Sequence, residues 1–188
     1  MLKKSENPPI SWPEAVSIRD FAGHWWIAHT KSRNEKALAN SLVSKEISYF
    51  LPMNWNVRRQ KGRTIRSLLP LFPGYLFFNG DENARLEVLR TNRVANILMV
   101  EDQERLVGEL FQIEVALKSG AELKPHKYID VGQTCRVKAG PLADIEGIVI
   151  QTHGHAKLVL KVDMLGQAAS VEIETDMIEV VENQPEKS

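Results

Sequence analysis

The spacing of apolar positions changes character near residue 121. Before that point strand-like runs alternate with stretches of helical spacing, and after it only the two-residue period of strands remains. Trp25 to His29 is an aromatic and β-branched run that predicts a strand. Ser32 precedes Glu35 by three positions, the spacing of a capping box, and Leu38, Ala39, Leu42, Val43 and Ile47 supply the apolar face of the helix it opens. Tyr49–Leu51 starts another strand, which Pro52 ends or marks as a sheet edge. Asn54 to Leu69, with Gly62 near its middle, predicts a long β-hairpin. Pro73-Gly74 then bends the chain ahead of a buried aromatic strand, Tyr75 to Phe78. Asp81–Arg90 predicts a helix through Ala84, Leu86 and Leu89, and Ala95–Val100 a strand. Asp102 caps a further helix carrying Leu106, Leu110, Ile113 and Leu117, and Gly120 supplies its left-handed stop. The order βαβ(hairpin)βαβα predicts an α+β sandwich with a mostly antiparallel sheet.

In the rear part Cys135 and Val137 alternate with Arg136 and Lys138. Leu158, Leu160, Val162 and Met164 share one strand face, Val171 and Ile173 alternate with Glu172 and Glu174, and Ile178 and Val180 close the series. Gly140, Pro141, Gly147, Gly154 and Gly166 punctuate this region too often for a helix, so it predicts a small β-barrel. The expected organisation is a flexible lead over 1–23, a front domain over 24–120, a linker over 121–129, the barrel over 130–182 and a tail over 183–188.

The 188-residue length suits two small domains, and the apolar fraction of 43% is ordinary for a globular chain. No apolar run approaches the roughly 20 residues of a membrane helix. Lys3 and Lys4 are followed by no apolar stretch, so no signal peptide is expected. Cys135, the single cysteine, allows neither an internal disulfide nor a thiol cluster for zinc, which suits a reducing cytoplasm. The zero net charge hides an asymmetry. From His24 to Asn79 nine cations face two acids, a net of +7, whereas Val131 to Val181 holds four cations and seven acids, a net of −3. The front can lie near phosphates, and the rear is a poor nucleic-acid platform.

Catalytic signatures are missing: there is no Gly-rich phosphate loop, no H-E-x-x-H and no cysteine pair. His153 and His155 flank Gly154, but two imidazoles without a third ligand make a weak metal site, and His24 and His29 flank a strand in structural roles. No catalytic residue, metal or cofactor is expected. The hairpin tip is more informative. Arg58, Arg59, Lys61, Arg63 and Arg66 place five positive charges within nine positions with no acid among them, a pattern suited to phosphates.

The run from Val131 through Gly140-Pro141 to Gly147-Ile148-Val149 resembles the KOW motif of ribosomal proteins and NusG-type factors. Trp25-Trp26-Ile27-Ala28 with Lys31 and Glu35, Leu71-Phe72-Pro73-Gly74-Tyr75-Leu76-Phe77, and Asn92-Arg93-Val94 resemble, in order, the NusG N-terminal (NGN) domain. The resemblance spans about His24 to Val181 and identifies the chain as similar to NusG-family elongation and antitermination factors. Within the family the details look like a specialised paralogue of the RfaH, LoaP and UpxY kind, and the stretch Ser119 to Leu123 with Pro125, His126 and Tyr128 is most like the UpxY-type antiterminators.

The resemblance implies a ferredoxin-like NGN domain followed by an SH3-like KOW barrel, in a monomeric, cytoplasmic protein that is not an enzyme. It implies docking on the β′ clamp helices of bacterial RNA polymerase through Trp26, Phe72, Pro73, Gly74 and Tyr75. It also implies a DNA-facing side at Lys31, Arg33 and Arg93, next to the basic hairpin, against non-template or upstream DNA. A β gate-loop contact would fall near Arg85-Leu86-Glu87, where the sequence departs from the RfaH pattern. The barrel would recruit a small-subunit ribosomal protein or Rho. The implied activity is suppression of pausing and processive, antiterminating transcription of particular operons. Two alternatives are a housekeeping NusG acting in Rho-dependent termination and transcription-translation coupling, and a KOW-type RNA-binding protein of the ribosome.

Overall fold

The computed structural model describes residues 7–60, 62–127, 132–152 and 155–181. Lys61, Tyr128, Val131, His153, Gly154 and the 183–188 tail lie outside the described residues. The chain divides into two compact units, residues 1–107 and 108–188.

The first unit is built on a five-stranded antiparallel sheet in the order β1 (Ser11–Trp12), β3 (Ser48–Phe50), β6 (Tyr75–Gly80), β2 (His24–Thr30) and β7 (Val94–Met99). Strands β4 (Met53–Gln60) and β5 (Arg63–Pro70) form a separate two-stranded ribbon, the expected hairpin. Helices α1 (Glu35–Ser44) and α2 (Glu82–Arg90) complete the unit. Side-chain alternation along β2 and β6 sends Trp26, Ala28, Leu76 and Phe78 into a core with Leu38, Ala39 and Leu42 of α1 and Val88 of α2. The opposite sheet face carries Trp25, Ile27, Phe77 and Phe50, all buried.

The structure changes four readings in this unit. The lead is not free over its described length: β1 pairs with β3, Leu51 N–H donates to Ile10 C=O at 2.7 Å, and Ile18 is wholly buried. A two-residue strand has no period to read, so this edge was invisible in the sequence. The capping box does not form. Asn34 precedes α1 without a side-chain cap, and the Glu35 carboxylate accepts instead from Gly74 N–H at 2.7 Å. Phe72 is 1% exposed and meets Phe77 edge-on, with ring centroids 6.2 Å apart. Trp26 is 8% exposed and donates its indole N–H to Gly80 C=O. Both aromatics are core residues, so neither projects as a docking anchor.

Helix α3 (Gln103–Lys118) crosses the division between the units. Asp102 caps it by accepting from Arg105 N–H at 2.9 Å, and Gly120 beyond its end has φ +81, the expected left-handed stop.

The second unit holds a six-stranded antiparallel sheet in the order β13 (Ile178–Val180), β9 (Gln133–Val137), β10 (Glu146–Thr152), β11 (His155–Val162), β12 (Gln167–Ile173) and β8 (Lys124–Lys127). No described residue between Gln133 and Val180 is α-helical. Strand β8 lies within the expected linker yet pairs with β12 over Lys124 to Lys127. Strand β11 ends at Val162, so Met164 leaves the predicted face and sits exposed in a 3-10 turn. Leu158, Leu160 and Val162 are buried on one face, and Val159 with Ile148 and Ala168 forms a second cluster on the other. Both faces of these central strands are therefore covered. The second half of α3 contributes here: Gln112 Oε1 accepts from Glu146 N–H at 3.4 Å, and Glu109 Oε2 from Asp163 N–H at 3.2 Å.

Gly147 sits where strands approach closely. A Cβ there would lie 2.6 Å from Val159 C=O and 3.0 Å from a Leu158 methyl. Gly147→Ala is expected to destabilise the second unit by about 1–3 kcal/mol, the usual range for overpacking. Thermal unfolding followed by backbone NMR of both units measures it; an unchanged melting curve disproves the close approach. Phe72→Ala is expected to cost about 3–5 kcal/mol by leaving a cavity in the first unit. Denaturant unfolding checks this, and a loss below about 1 kcal/mol refutes the core assignment.

Candidate functional site

Three loops meet at one end of the first sheet, and backbone bonds hold them together. Thr30 N–H donates to Gly74 C=O at 2.8 Å, and Lys31 N–H donates to Arg93 C=O at 2.8 Å. The Glu35–Gly74 bond joins the turn before β6 to the start of α1. Gly74 has φ +88, which favours glycine in this turn. Arg33 and Asn92 also lie in the left-handed region, at φ 59 and 55, so two of the loops turn sharply at non-glycine residues.

This frame presents two neighbouring groups. The first is aromatic: Tyr75 at the start of β6 stacks on His29 at the end of β2, with ring centroids 5.1 Å apart and planes at 23°. His29 is exposed, Tyr75 half-buried, and Pro73 exposed beside them. Their register pairing places both rings on the same sheet face. His29 is expected from the sequence in a structural role; placing it beside Tyr75 requires the β2–β6 register, which no local signal reports. The second group is cationic. Lys31 Nζ donates to Asn92 Oδ1 at 2.7 Å, and Arg93 Nη1 to Asn34 Oδ1 at 3.1 Å. Amide partners orient these cations without neutralising them. Arg33 is exposed in the same loop.

The remaining hairpin cations stand apart from this cluster. Arg58, Arg59, Arg63 and Arg66 are exposed along β4 and β5, and Gly62 at the tip has φ +75. Strand pairing divides them between the ribbon faces: Arg59 and Arg66 on one, Arg58 and Arg63 on the other. Arg58 Nε donates to Asn56 Oδ1 at 3.2 Å.

Arg85, Leu86 and Glu87 lie on α2. Arg85 pairs with Glu82, with Nη2 2.5 Å from the carboxylate, and its guanidinium stands 5.8 Å over the Trp26 ring. That bond holds the Glu82 carboxyl below its usual range. Among the described residues no group of three or more histidine, cysteine or acidic side chains could hold a metal ion. Cys135 is buried, and burial pushes its thiol up, which leaves it a poor nucleophile. Among the described residues no helix is long and apolar enough to cross a membrane.

Residues 23–110 match the family model described as "Transcription termination factor nusG". A Pseudomonas aeruginosa protein named "Transcription termination/antitermination protein NusG" is 27% identical over 181 residues, covering 86% of this chain and all of that one. A solved structure titled "Domain interaction in Thermotoga maritima NusG" is similar over 85% of this chain and 97% of that one, at 19% identity and a TM-score of 0.49. The family match lies on the stretch that carries the loop cluster and hairpin, and there the chain is similar to the NusG family of transcription factors.

Proposed function

We propose that this protein is an elongation factor that binds bacterial RNA polymerase across the DNA cleft, suppresses pausing and promotes antitermination of particular operons. The observation that carries the reading is the loop cluster, where a surface aromatic pair adjoins cations whose side-chain partners among the described residues are amides. Rigid aromatics at a surface are typical anchors of a protein interface, and cations left un-neutralised suit phosphates. Docking on the β′ clamp helices is assigned to Pro73, Gly74 and Tyr75, with His29 added and with Phe72 and Trp26 supporting them from the core. Lys31, Arg33 and Arg93 face non-template or upstream DNA, and Arg58, Arg59, Lys61, Arg63 and Arg66 of the hairpin supply a second set of DNA-facing cations. Binding of this kind holds the polymerase in its processive state only through higher affinity for that state. The acidic second unit is a recruiting surface for a protein such as a ribosomal protein or Rho, and not an RNA platform.

The name of the Pseudomonas aeruginosa relative joins termination and antitermination, so the two roles are separated by transcription assays. An antiterminator lengthens transcripts through a Rho-dependent terminator in a purified system; shortened transcripts identify the housekeeping role instead. Within that system Tyr75→Ala is expected to weaken polymerase binding roughly thirtyfold, about 2 kcal/mol, while the domain stays folded. Unchanged binding of a folded variant would place the docking face elsewhere. Replacing Arg58, Arg59, Lys61 and Arg63 by Ser is expected to flatten the salt dependence of binding to an elongation complex, by up to about 0.9 in the log–log slope per lost duplex phosphate contact. Binding to isolated polymerase changes little, and an unaltered slope on the elongation complex makes the hairpin a solvated turn.

A further inference from the structure

The two faces of the β4–β5 ribbon are chemically different. Pairing across the ribbon sets Trp55 opposite Leu68, Val57 opposite Arg66, and Arg59 opposite Thr64, and these six side chains share one face. Leu68 packs against the core of the first unit, which fixes the base of that face. Beyond it every residue is exposed: Trp55 at 45%, Val57 at 57%, then Arg59, Thr64 and Arg66. The other face carries Asn54, Asn56, Ile65 and Ser67, all half-buried, and the exposed Arg58, Gln60, Arg63 and Leu69 but no aromatic ring, with Arg58 already turned toward Asn56. An indole exposed next to two arginines, on a ribbon with no acid from Asn54 to Leu69, is therefore specific to one side.

We infer that this face binds unpaired DNA, with a base stacked on the Trp55 indole and phosphates held by Arg66 and Arg59. The inference rests on the DNA-facing role assigned above and names the face and the form of DNA. An indole offers a flat apolar surface that matches the face of any base, and a base face is open only where the strand is unpaired and unstacked. The spacing suits one strand running along the ribbon. Arg59 lies four residues beyond Trp55, about 13 Å along β4, and Arg66 lies between them on the neighbouring strand. Lys36 anchors the base of the ribbon by donating to Leu68 C=O, so the face is held in a fixed direction where it leaves the core. Stacking makes the contact tolerant of sequence, while the arginines make it salt-dependent. A transcription bubble supplies unpaired DNA beside a bound factor, whereas a duplex would meet only the charges.

The test uses the full chain with labelled oligothymidine, the matching duplex and oligouridine, read by fluorescence anisotropy over a salt series. Trp55→Ala is expected to weaken oligothymidine binding about tenfold with the salt slope unchanged, and Trp55→Phe to recover most of that loss. Arg59→Ser with Arg66→Ser is expected to reduce the slope by about 0.7 per phosphate contact, and Arg58→Ser with Arg63→Ser to reduce it less. Trp55 is exposed, so a melting curve like that of the unsubstituted chain is expected for its variants. If Trp55→Ala binds normally while the arginine variants flatten the slope, the stacking inference fails and the hairpin's DNA role stands. If no arginine variant alters the slope, the DNA role itself fails. Duplex bound as tightly as oligothymidine, or oligouridine bound more tightly, overturns the assignment to unpaired DNA.

Discussion

A single charge-assisted hydrogen bond organises the loop cluster at one end of the first unit. Glu35 opens α1 with its carboxylate buried, and that carboxylate accepts Gly74 N–H at 2.7 Å. A negative group is favoured at a helix N-terminus, and a buried carboxylate without a donor would be costly. The bond therefore serves two ends at once: it satisfies Glu35 and closes the Pro73-Gly74 turn. Gly74 in turn accepts from Thr30 N–H, so the start of β6 is fixed against the end of β2. The stacking of Tyr75 on His29 follows from that juxtaposition. So does the placement of the Lys31–Arg33 loop, which is bonded through Lys31 N–H to the Arg93 backbone.

The elements were legible where the signal was local. Alternation, turn glycines and the Asp102 cap located β2, the hairpin, β6 and α3 within a residue or two. The misreadings share one cause, the choice of partner across a long sequence separation. Ser32 and Glu35 have capping-box spacing, but a donor 39 residues away takes the carboxylate. Leu71-Phe72-Pro73-Gly74-Tyr75 was recognisable as a motif, yet which of its rings faces solvent depends on the strand it joins. Phe72 meets Phe77 inside, while Tyr75 meets His29 outside. The candidate site was thus legible as a set of segments and not as a set of exposed side chains.

The second unit shows the same limit from another side. A period of two marks one buried face, and it correctly grouped Leu158, Leu160 and Val162. It said nothing of Val159 and Ile148, buried on the reverse face. Covering both faces requires material that strands alone do not supply. Part of it comes from α3, whose Glu109 and Gln112 accept backbone N–H groups at Asp163 and Glu146. The stretch expected to be a linker also joins the sheet, where β8 pairs with β12 as the edge strand.

The charge asymmetry acquires a structural meaning once each cation is assigned its partner. On α2, Arg85 pairs with Glu82 and Arg90 with Glu87, and in the second unit Arg136 pairs with Glu146 and Lys161 with Asp163. Those positive charges are spent within the protein. At the loop cluster the partners are the amides of Asn92 and Asn34, and on the ribbon Arg58 turns to Asn56. An amide oxygen accepts a hydrogen bond and orients the cation, but it contributes no opposing charge. A carboxylate in the same place would give a tighter internal bond and cancel the field outside. Asparagine thus holds Lys31, Arg93 and Arg58 in place while their charge remains directed at solvent. A zero net charge over the whole chain is compatible with a strongly positive front because the acids are placed beside other cations. The chemistry of each cation's partner, more than the count of cations, locates the surface that suits phosphates.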